Sequence, residues 1–111
     1  MVKRGDVIVA AFGGGLGNKP RPAIVVQDDL FDAPFTILAI PMTSDLETVS
    51  IIRPALEPTP ANGLSRRSCL MTDKLFPVRR SLIGGQVGTL SESDMSQVER
   101  AMQLILGMVR G

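Results

Sequence analysis

The sequence predicts one mainly β domain, a small antiparallel barrel with a single C-terminal helix. The chain of 111 residues has the length of one domain, residues 1–111, and its 44% hydrophobic residues can form a real core. Short apolar, β-branched runs alternate with glycine- and proline-rich turns, as in strands joined by tight connections. Helical periodicity is confined to the stretch after Leu90.

The strands are predicted from their β-branched content and from the turn residues that flank them. Pro41 is expected to end the third strand, since proline has no N–H to donate. The run Pro54 to Gly63 holds three prolines and is expected to be a loop. The second strand is apolar on both faces, which predicts a central position in the sheet. The predicted strands are 5–12, 23–27, 35–40, 48–53 and 68–72, followed by irregular chain at 76–78 and 82–90 with one more short strand at 86–89.

The last element is predicted to be a helix that packs on the sheet. Ser91 has the features of an N-cap, and Glu92 and Asp94 place acidic groups in the first turn. The apolar residues that follow recur at helical spacing, which indicates core packing. They are Met95, Val98, Met102, Ile105 and Val109, with Ala101, Leu104 and Met108 widening the face.

Composition narrows the possible chemistry. With four Phe and no Trp or Tyr, base stacking cannot be the main binding device. Without histidine, and without a zinc spacing or a Walker phosphate loop, we expect neither a metal nor a cofactor. A single Cys69 excludes an internal disulfide, and no signal peptide or membrane-spanning run is recognisable. We therefore expect a cytoplasmic protein without membrane association.

Charge is distributed unevenly along the chain. The segment 28–47 carries five acids and no base, whereas 53–80 carries six bases against two acids. A basic segment of this kind can attract a polyanion such as RNA. Ordinary charge scatter on a solvated face is the alternative. The six bases are Arg53, Arg66, Arg67, Lys74, Arg79 and Arg80.

Arg21 lies between Pro20 and Pro22, directly before the second strand. Each proline fixes its own φ and restricts the residue before it. A cation on so stiff a backbone can meet one particular phosphate or carboxylate in fork geometry. The alternative is an ordinary surface arginine at the start of a strand. The glycine-rich loop Gly13 to Lys19 before it is either a plain connection or a mobile flap over a site.

Polar residues follow three of the strand ends. If the second and third strands pair as a hairpin, Arg21 and Thr43 lie at the same end of the sheet, and Asp73 after the fifth strand is expected to join them. Such a group suits phosphodiester chemistry. The arginine would stabilise the phosphate charge, the threonine would donate a hydrogen bond and the aspartate would act as base toward a ribose 2′-hydroxyl.

Each of these residues also has a simpler interpretation. Thr43 and Ser44 suit any turn. Asp73 could form an ion pair with Arg66 or Arg67.

Four segments carry a resemblance to a known family: Gly5-Asp6-Val7, 21–26, 41–44 and Thr72-Asp73. Taken in this order, they resemble the MazF/PemK toxins of bacterial toxin–antitoxin pairs. The resemblance extends over nearly the whole chain. It implies an SH3-like barrel, a homodimer and sequence-specific cleavage of single-stranded RNA without a metal. It also implies a cognate antitoxin whose extended tail occupies the RNA groove.

Carried over to this chain, the resemblance implies that Arg21 and Thr43 are catalytic and that Asp73 matches an acidic position which some members use as base. Those members have an arginine two residues before the aspartate, where this chain has Met71, and some use a histidine that this chain lacks. Together with the charge pattern, these observations predict RNA contacts at Lys19, Ser44, Arg53, Arg66, Arg67, Arg79 and Arg80.

A gyrase poison is the alternative function. The chain also resembles CcdB, which shares the fold, in three places: the segment 70–73, Val87, and the stretch from Leu90 through the helix. Such proteins engage gyrase through their C-terminal residues, typically with a tryptophan near the end. This chain has no tryptophan, and a metal-free RNA cleavage assay would separate the two functions.

Overall fold

A computed structural model describes residues 2–13, 16–32 and 34–110. The fold is an antiparallel sheet curled into a half-barrel, with one helix at the C-terminus, and this confirms the predicted fold class. The elements are β1 (Asp6–Ala10), β2 (Arg21–Val25), β3 (Thr36–Thr43), β4 (Ala55–Leu56), β5 (Ser68–Leu70), β6 (Phe76–Arg79), β7 (Ile83–Thr89) and α1 (Glu92–Ile105), with short 3₁₀ turns at Thr72–Lys74 and Arg80–Leu82.

The strand order is β4-β5-β3-β2-β1-β7, and β6 pairs with β3 beside this path. Strand β3 causes the curl because it changes partners along its length. Its first half pairs with β6, its middle with β2 and its last two residues with β5, all antiparallel. Strand β2 lies between β1 and β3, so its predicted central position is confirmed.

The core lies on both faces of the central strands because their side chains alternate between them. Val7 and Ile24 belong to one buried cluster, which includes Val98 of α1. Their neighbours Ile8 and Val25 belong to a second cluster on the opposite face.

The predicted helix is confirmed together with its cap. The Ser91 hydroxyl accepts a hydrogen bond from the Asp94 N–H at 3.1 Å. Val98 and Ala101 are buried, whereas Met108, which we expected on the packed face, is 71% exposed. It lies outside the core because the helix ends at Ile105.

Two strand predictions around Pro41 and Arg53 were wrong. Strand β3 continues through Pro41, whose carbonyl accepts the Met71 N–H at 2.9 Å where the strand changes partner. The predicted strand 48–53 is a tight turn, because Ser50 and Arg53 exchange backbone hydrogen bonds with each other at 3.1 Å. Part of the predicted loop 54–63 forms the two-residue strand β4.

The chain predicted to be largely irregular contains two strands, β6 and the seven-residue β7, and the short strand predicted at 86–89 is part of β7. Strand β7 pairs along β1 with two register shifts. Its three glycines make the strand difficult to recognise in the sequence, since glycine contributes no side chain to the alternation of apolar and polar residues.

The first loop is closed by hydrogen bonds from the Gly13 N–H to the Gly17 carbonyl at 2.8 Å and from the Leu16 N–H to the Gly13 carbonyl at 3.1 Å. Gly14 and Gly15, at the centre of the proposed flap, lie outside the described residues, as does Ala33 of the predicted turn before β3. Within the described ranges, no helix is long and apolar enough to cross a membrane.

Candidate active site

The hairpin of β2 and β3 brings Arg21 and Thr43 to one end of the sheet. Ala23 lies opposite Pro41 in the ladder, and two residues further along each strand are Arg21 and Thr43. Both side chains line the same surface depression, which encloses about 430 Å³. The predicted meeting of these two residues is therefore confirmed.

Three segments form the walls of this depression. The chain that leads into β2 provides one wall, the end of β3 provides the second, and the loop that leads into β5 provides the third. The lining residues are Lys19, Pro20, Arg21, Pro22, Met42, Thr43, Ser44, Asp45, Leu64, Ser65, Arg66 and Ser68.

The guanidinium of Arg21 has uncommitted hydrogen-bonding capacity. Arg21 is half-buried, and its Nε is buried without a hydrogen-bond partner among the described residues. A buried polar group left in this state costs roughly 1–3 kcal/mol, and more when it carries charge. A phosphate in the depression would offset the positive charge of the guanidinium.

The hydroxyl of Thr43 is held by the turn that follows β3. Its Oγ1 accepts the Asp45 N–H at 3.1 Å, and Asp45 Oδ1 accepts the Glu47 N–H at 3.0 Å. Because Oγ1 is the acceptor in this turn, the hydroxyl proton of Thr43 remains available to donate to another group.

The third wall is built around the buried side chain of Asn62. Its Nδ2 donates to the Glu57 carbonyl at 2.9 Å, and its Oδ1 accepts the N–H groups of Thr59 and Leu64, both at 3.0 Å. These bonds fix the loop from which Leu64 and Arg66 reach the depression.

The same loop rests directly on β7, backbone against backbone. Gly63 has a φ of +68°, and a Cβ at this position would lie 2.1 Å from the Val87 carbonyl oxygen. A Cβ at Gly88 would lie 2.4 Å from the Ala61 carbonyl oxygen, which also accepts the Thr89 N–H at 2.9 Å. The close approach therefore requires glycine on both sides.

Asp73 does not line this depression, so its predicted convergence with Arg21 and Thr43 was wrong. It lies in the 3₁₀ turn after β5, and it lines a different depression with Phe12 and Phe76. The reason is the strand direction. Because β5 runs antiparallel to β3, the end of β5 lies away from the end of β3, and its start lies beside Thr43.

Asp73 forms a two-point ion pair with Arg53. The distances are 2.7 Å from Nε to Oδ1 and 2.8 Å from Nη2 to Oδ2, and Arg53 Nη1 also donates to Thr48 Oγ1 at 2.9 Å. The hydrogen bond from Arg53 lowers the pKa of Asp73, and the same bond raises the pKa of Arg53. The alternative pairing of Asp73 with Arg66 or Arg67 was wrong, since Arg53 bonds both carboxylate oxygens of Asp73 and Arg67 pairs with Glu57 at 2.7 Å.

The seven residues predicted to contact RNA do not form one surface. Lys19, Ser44 and Arg66 line the depression. The guanidinium groups of Arg53 and Arg67 form ion pairs elsewhere. Arg79 and Arg80 border a separate depression, and Arg80 pairs with Asp32 at 2.7 Å. Their roles in RNA binding stay predictions.

The depression is also lined by three residues that were not predicted from the sequence: Asp45, Ser65 and Ser68. Ser68 begins β5. Applying antiparallel geometry to the start of the fifth strand, instead of its end, would have found it. Within the described part of the chain, no group of three or more His, Cys, Asp or Glu residues is placed to hold a metal ion.

Comparison with known proteins gives the family. Residues 3–106 match the family model of the PemK-like, MazF-like toxins of type II toxin–antitoxin systems. A probable endoribonuclease MazF from Mycolicibacterium smegmatis is 42% identical over 107 residues, which cover 96% of this chain and 98% of that protein.

Solved structures share the fold at lower identity. An endoribonuclease in complex with its cognate antitoxin, from a mycobacterial species, superposes with a TM-score of 0.80 at 17% identity and full coverage of both chains. MazF from Deinococcus radiodurans superposes with a TM-score of 0.78 at 20% identity, covering 96% of this chain and 97% of that one. The gyrase-poison alternative is not favoured by these matches, and the chain belongs to the PemK-like, MazF-like toxins of type II toxin–antitoxin systems.

Proposed function

We propose that this protein is the toxin of a type II toxin–antitoxin pair and that it cleaves single-stranded RNA at specific sequences without a metal. The observation that carries the proposal is the Arg21 side chain, whose Nε has no hydrogen-bond partner among the described residues, in one depression with Thr43. The depression around them holds three cations, Lys19, Arg21 and Arg66, against one carboxylate, Asp45, and so suits an RNA phosphate.

The two side chains match the needs of phosphodiester cleavage. When the ribose 2′-oxygen attacks phosphorus, negative charge grows on the non-bridging oxygens. Arg21 stabilises this charge with a charge-assisted, two-pronged hydrogen bond, and Thr43 donates its hydroxyl to the same group. The 5′-oxygen then leaves, and the products are a 2′,3′-cyclic phosphate and a 5′-hydroxyl.

The similar proteins support the same assignment. The mycobacterial relative at 42% identity is named a probable endoribonuclease, and a structure with the same fold binds a cognate antitoxin. We extend both properties to this chain and propose a cognate antitoxin whose extended tail covers the depression. Cleavage of mRNA by such an enzyme would inhibit translation and growth, and we propose that the protein acts in the cytoplasm, where this substrate is found.

We also propose that the protein is a homodimer. Large apolar side chains are exposed on this single chain, among them Leu30, Phe31 and Phe35, each at least 71% exposed. Light scattering at micromolar concentration should give the mass of two chains. A monomer at this concentration would contradict the proposal.

The central experiment is cleavage of a long, defined RNA with and without a chelator, followed by mapping of the cut ends. We expect cuts within a short recurrent sequence, no effect of the chelator and no cleavage where the ribose before the scissile phosphate is 2′-deoxy. An RNA left whole by the wild-type protein, together with stalled gyrase on DNA, would overturn the assignment in favour of the gyrase poison.

A further inference from the structure

RNA cleavage through a 2′-hydroxyl requires a group that accepts the hydroxyl proton, and Asp45 is placed for this task. The chain has no histidine, and the Asp73 carboxylate is held by Arg53 at another site. Of the residues that line the Arg21–Thr43 depression, Asp45 carries the carboxylate, whereas the other charged side chains are cations.

The local geometry holds Asp45 beside Thr43 and leaves part of its carboxylate free. Its backbone N–H donates to Thr43 Oγ1 at 3.1 Å, so the two residues are joined by a hydrogen bond. Oδ1 accepts the Glu47 N–H at 3.0 Å, which orients the carboxylate. Oδ2 has no hydrogen-bond partner within the described ranges, and the residue is exposed.

We propose that Asp45 is the catalytic base of this site, a role that rests on the ribonuclease function proposed above. A phosphate held by Arg21 places the adjoining ribose in the depression, within reach of the turn after β3. Asp45 takes the proton of the 2′-hydroxyl while the 2′-oxygen forms its bond to phosphorus. The bond from phosphorus to the 5′-oxygen breaks, and that oxygen takes a proton from water. Asp45 then releases its proton to solvent, so that atoms and charge balance.

Asp45→Asn tests this role with little change of structure, because the amide oxygen can still accept the Glu47 N–H. General-base catalysis contributes roughly 10²–10⁴-fold, so we expect single-turnover cleavage to fall at least about a hundredfold. Affinity for a non-cleavable RNA, 2′-deoxy at the cut site, should stay unchanged or increase, since the variant loses a negative charge near phosphate. A merely structural role would weaken binding as well.

Glu47→Gln is the matched control. It removes one negative charge from the same segment, and Glu47 does not line the depression. Its cleavage rate should stay within about twofold of wild type, as expected for loss of a screened surface charge. An equal loss of rate in Glu47→Gln and Asp45→Asn would overturn the proposal, because general electrostatics would then explain both.

A substrate with sulfur in place of the 5′-oxygen separates base from acid catalysis. The thiolate leaves without protonation, so a variant that lacks only an acid recovers on this substrate. Asp45→Asn should remain slower than wild type, because the 2′-hydroxyl must still lose its proton. Recovery to the wild-type rate would overturn the assignment of Asp45 as base.

Asp73→Asn provides the direct comparison between the two carboxylates. A large loss of rate in this variant, with normal cleavage by Asp45→Asn, would overturn the proposal and restore Asp73 as base. Failure of the proposed function is distinguishable, since the wild-type protein itself would then leave RNA uncut.

Discussion

Arg21 and Arg53 are the same type of side chain in opposite situations. Arg53 donates from Nε, Nη1 and Nη2 to Thr48 and Asp73. Arg21 opens β2 with a buried Nε that has no partner among the described residues. The formal charges are equal, but only Arg21 has its hydrogen-bonding capacity available for a ligand. We therefore base the proposed anion site on uncommitted donors and not on the number of cations in a segment.

The two environments follow from the connections around each arginine. Arg21 is held between two prolines at the end of the sheet where β3 ends with the hydroxyl residue Thr43. Arg53 closes a four-residue turn that lies beside Asp73. The first arrangement leaves a site for a ligand, and the second stabilises two loops.

Removing Arg21 should give the largest effect on activity. We expect Arg21→Ala to lower RNA cleavage by about a hundredfold or more, the usual effect of losing a preorganised donor to transition-state charge. The melting temperature should change by less than about 4 °C, the shift that about 1 kcal/mol produces in a domain of this size. Arg21→Lys, which keeps the charge without the planar fork, should be intermediate. Full activity of Arg21→Ala would show that the site is misplaced.

Thr43→Val should be the next most damaging change. It preserves size and β-branching, but it removes the hydroxyl and leaves the Asp45 N–H without its acceptor. A hydrogen bond to a charged group contributes roughly 1.5–3 kcal/mol, so single-turnover cleavage should fall about tenfold to a hundredfold. Thr43→Ser is the control and should retain most of the rate. Equal rates for the two variants would exclude a role for the hydroxyl.

Arg66 and Arg67 extend the comparison to neighbouring residues. Arg66 lines the depression, whereas Arg67 pairs with Glu57. Arg66→Ala should weaken binding of a non-cleavable RNA and lower the slope of log affinity against log salt by about 0.7, the value for one phosphate contact to a single strand. Arg67→Ala should change the slope less. Identical slopes for the two variants would remove the distinction between free and paired arginines.

The smallest expected effect concerns the Arg53–Asp73 pair, which should stabilise the fold by less than about 1 kcal/mol because it lies near the surface. The pKa of Asp73 is lowered in the folded state by the hydrogen bond from Arg53. As the pH falls below about 4, the usual pKa of Asp, Asp73 becomes protonated first in the unfolded chain. The stabilising contribution of the ion pair is then lost as the pH falls through the lower pKa of Asp73 in the folded state. Urea unfolding of wild type and Asp73→Asn should therefore differ at pH 7, and the difference should shrink as the pH is lowered below about 4. A constant difference would contradict the assignment.

The predictable part of this molecule is the part governed by neighbouring segments. The β2–β3 hairpin follows from two apolar runs that are neighbours in the sequence, joined by the connection 26–35, and this alone brings Arg21 to Thr43. The capped helix is predictable from Ser91 for the same reason. Both depend on contacts that are close along the chain.

The predictions that were wrong depend on pairing between segments that are far apart in the sequence. Whether Pro41 ends a strand depends on Met71, which provides a partner for its carbonyl 30 positions later. The place of Asp73 depends on β5 pairing with the last two residues of β3, which no local pattern indicates. Asp45 was missed because its importance appears only when the walls of the depression are assembled.

The contact between the 57–64 loop and β7 has a consequence for genetics. Gly63 and Gly88 lie outside the depression, yet any larger residue at either position must separate the loop from β7 and so displace the segment that leads to Arg66. A selection for survivors of toxin expression should therefore recover substitutions at these two glycines as well as at Arg21. Such survivors would have a distorted catalytic surface with every proposed catalytic side chain intact. The positions of their substitutions would identify residues that inspection of the active site alone does not reveal.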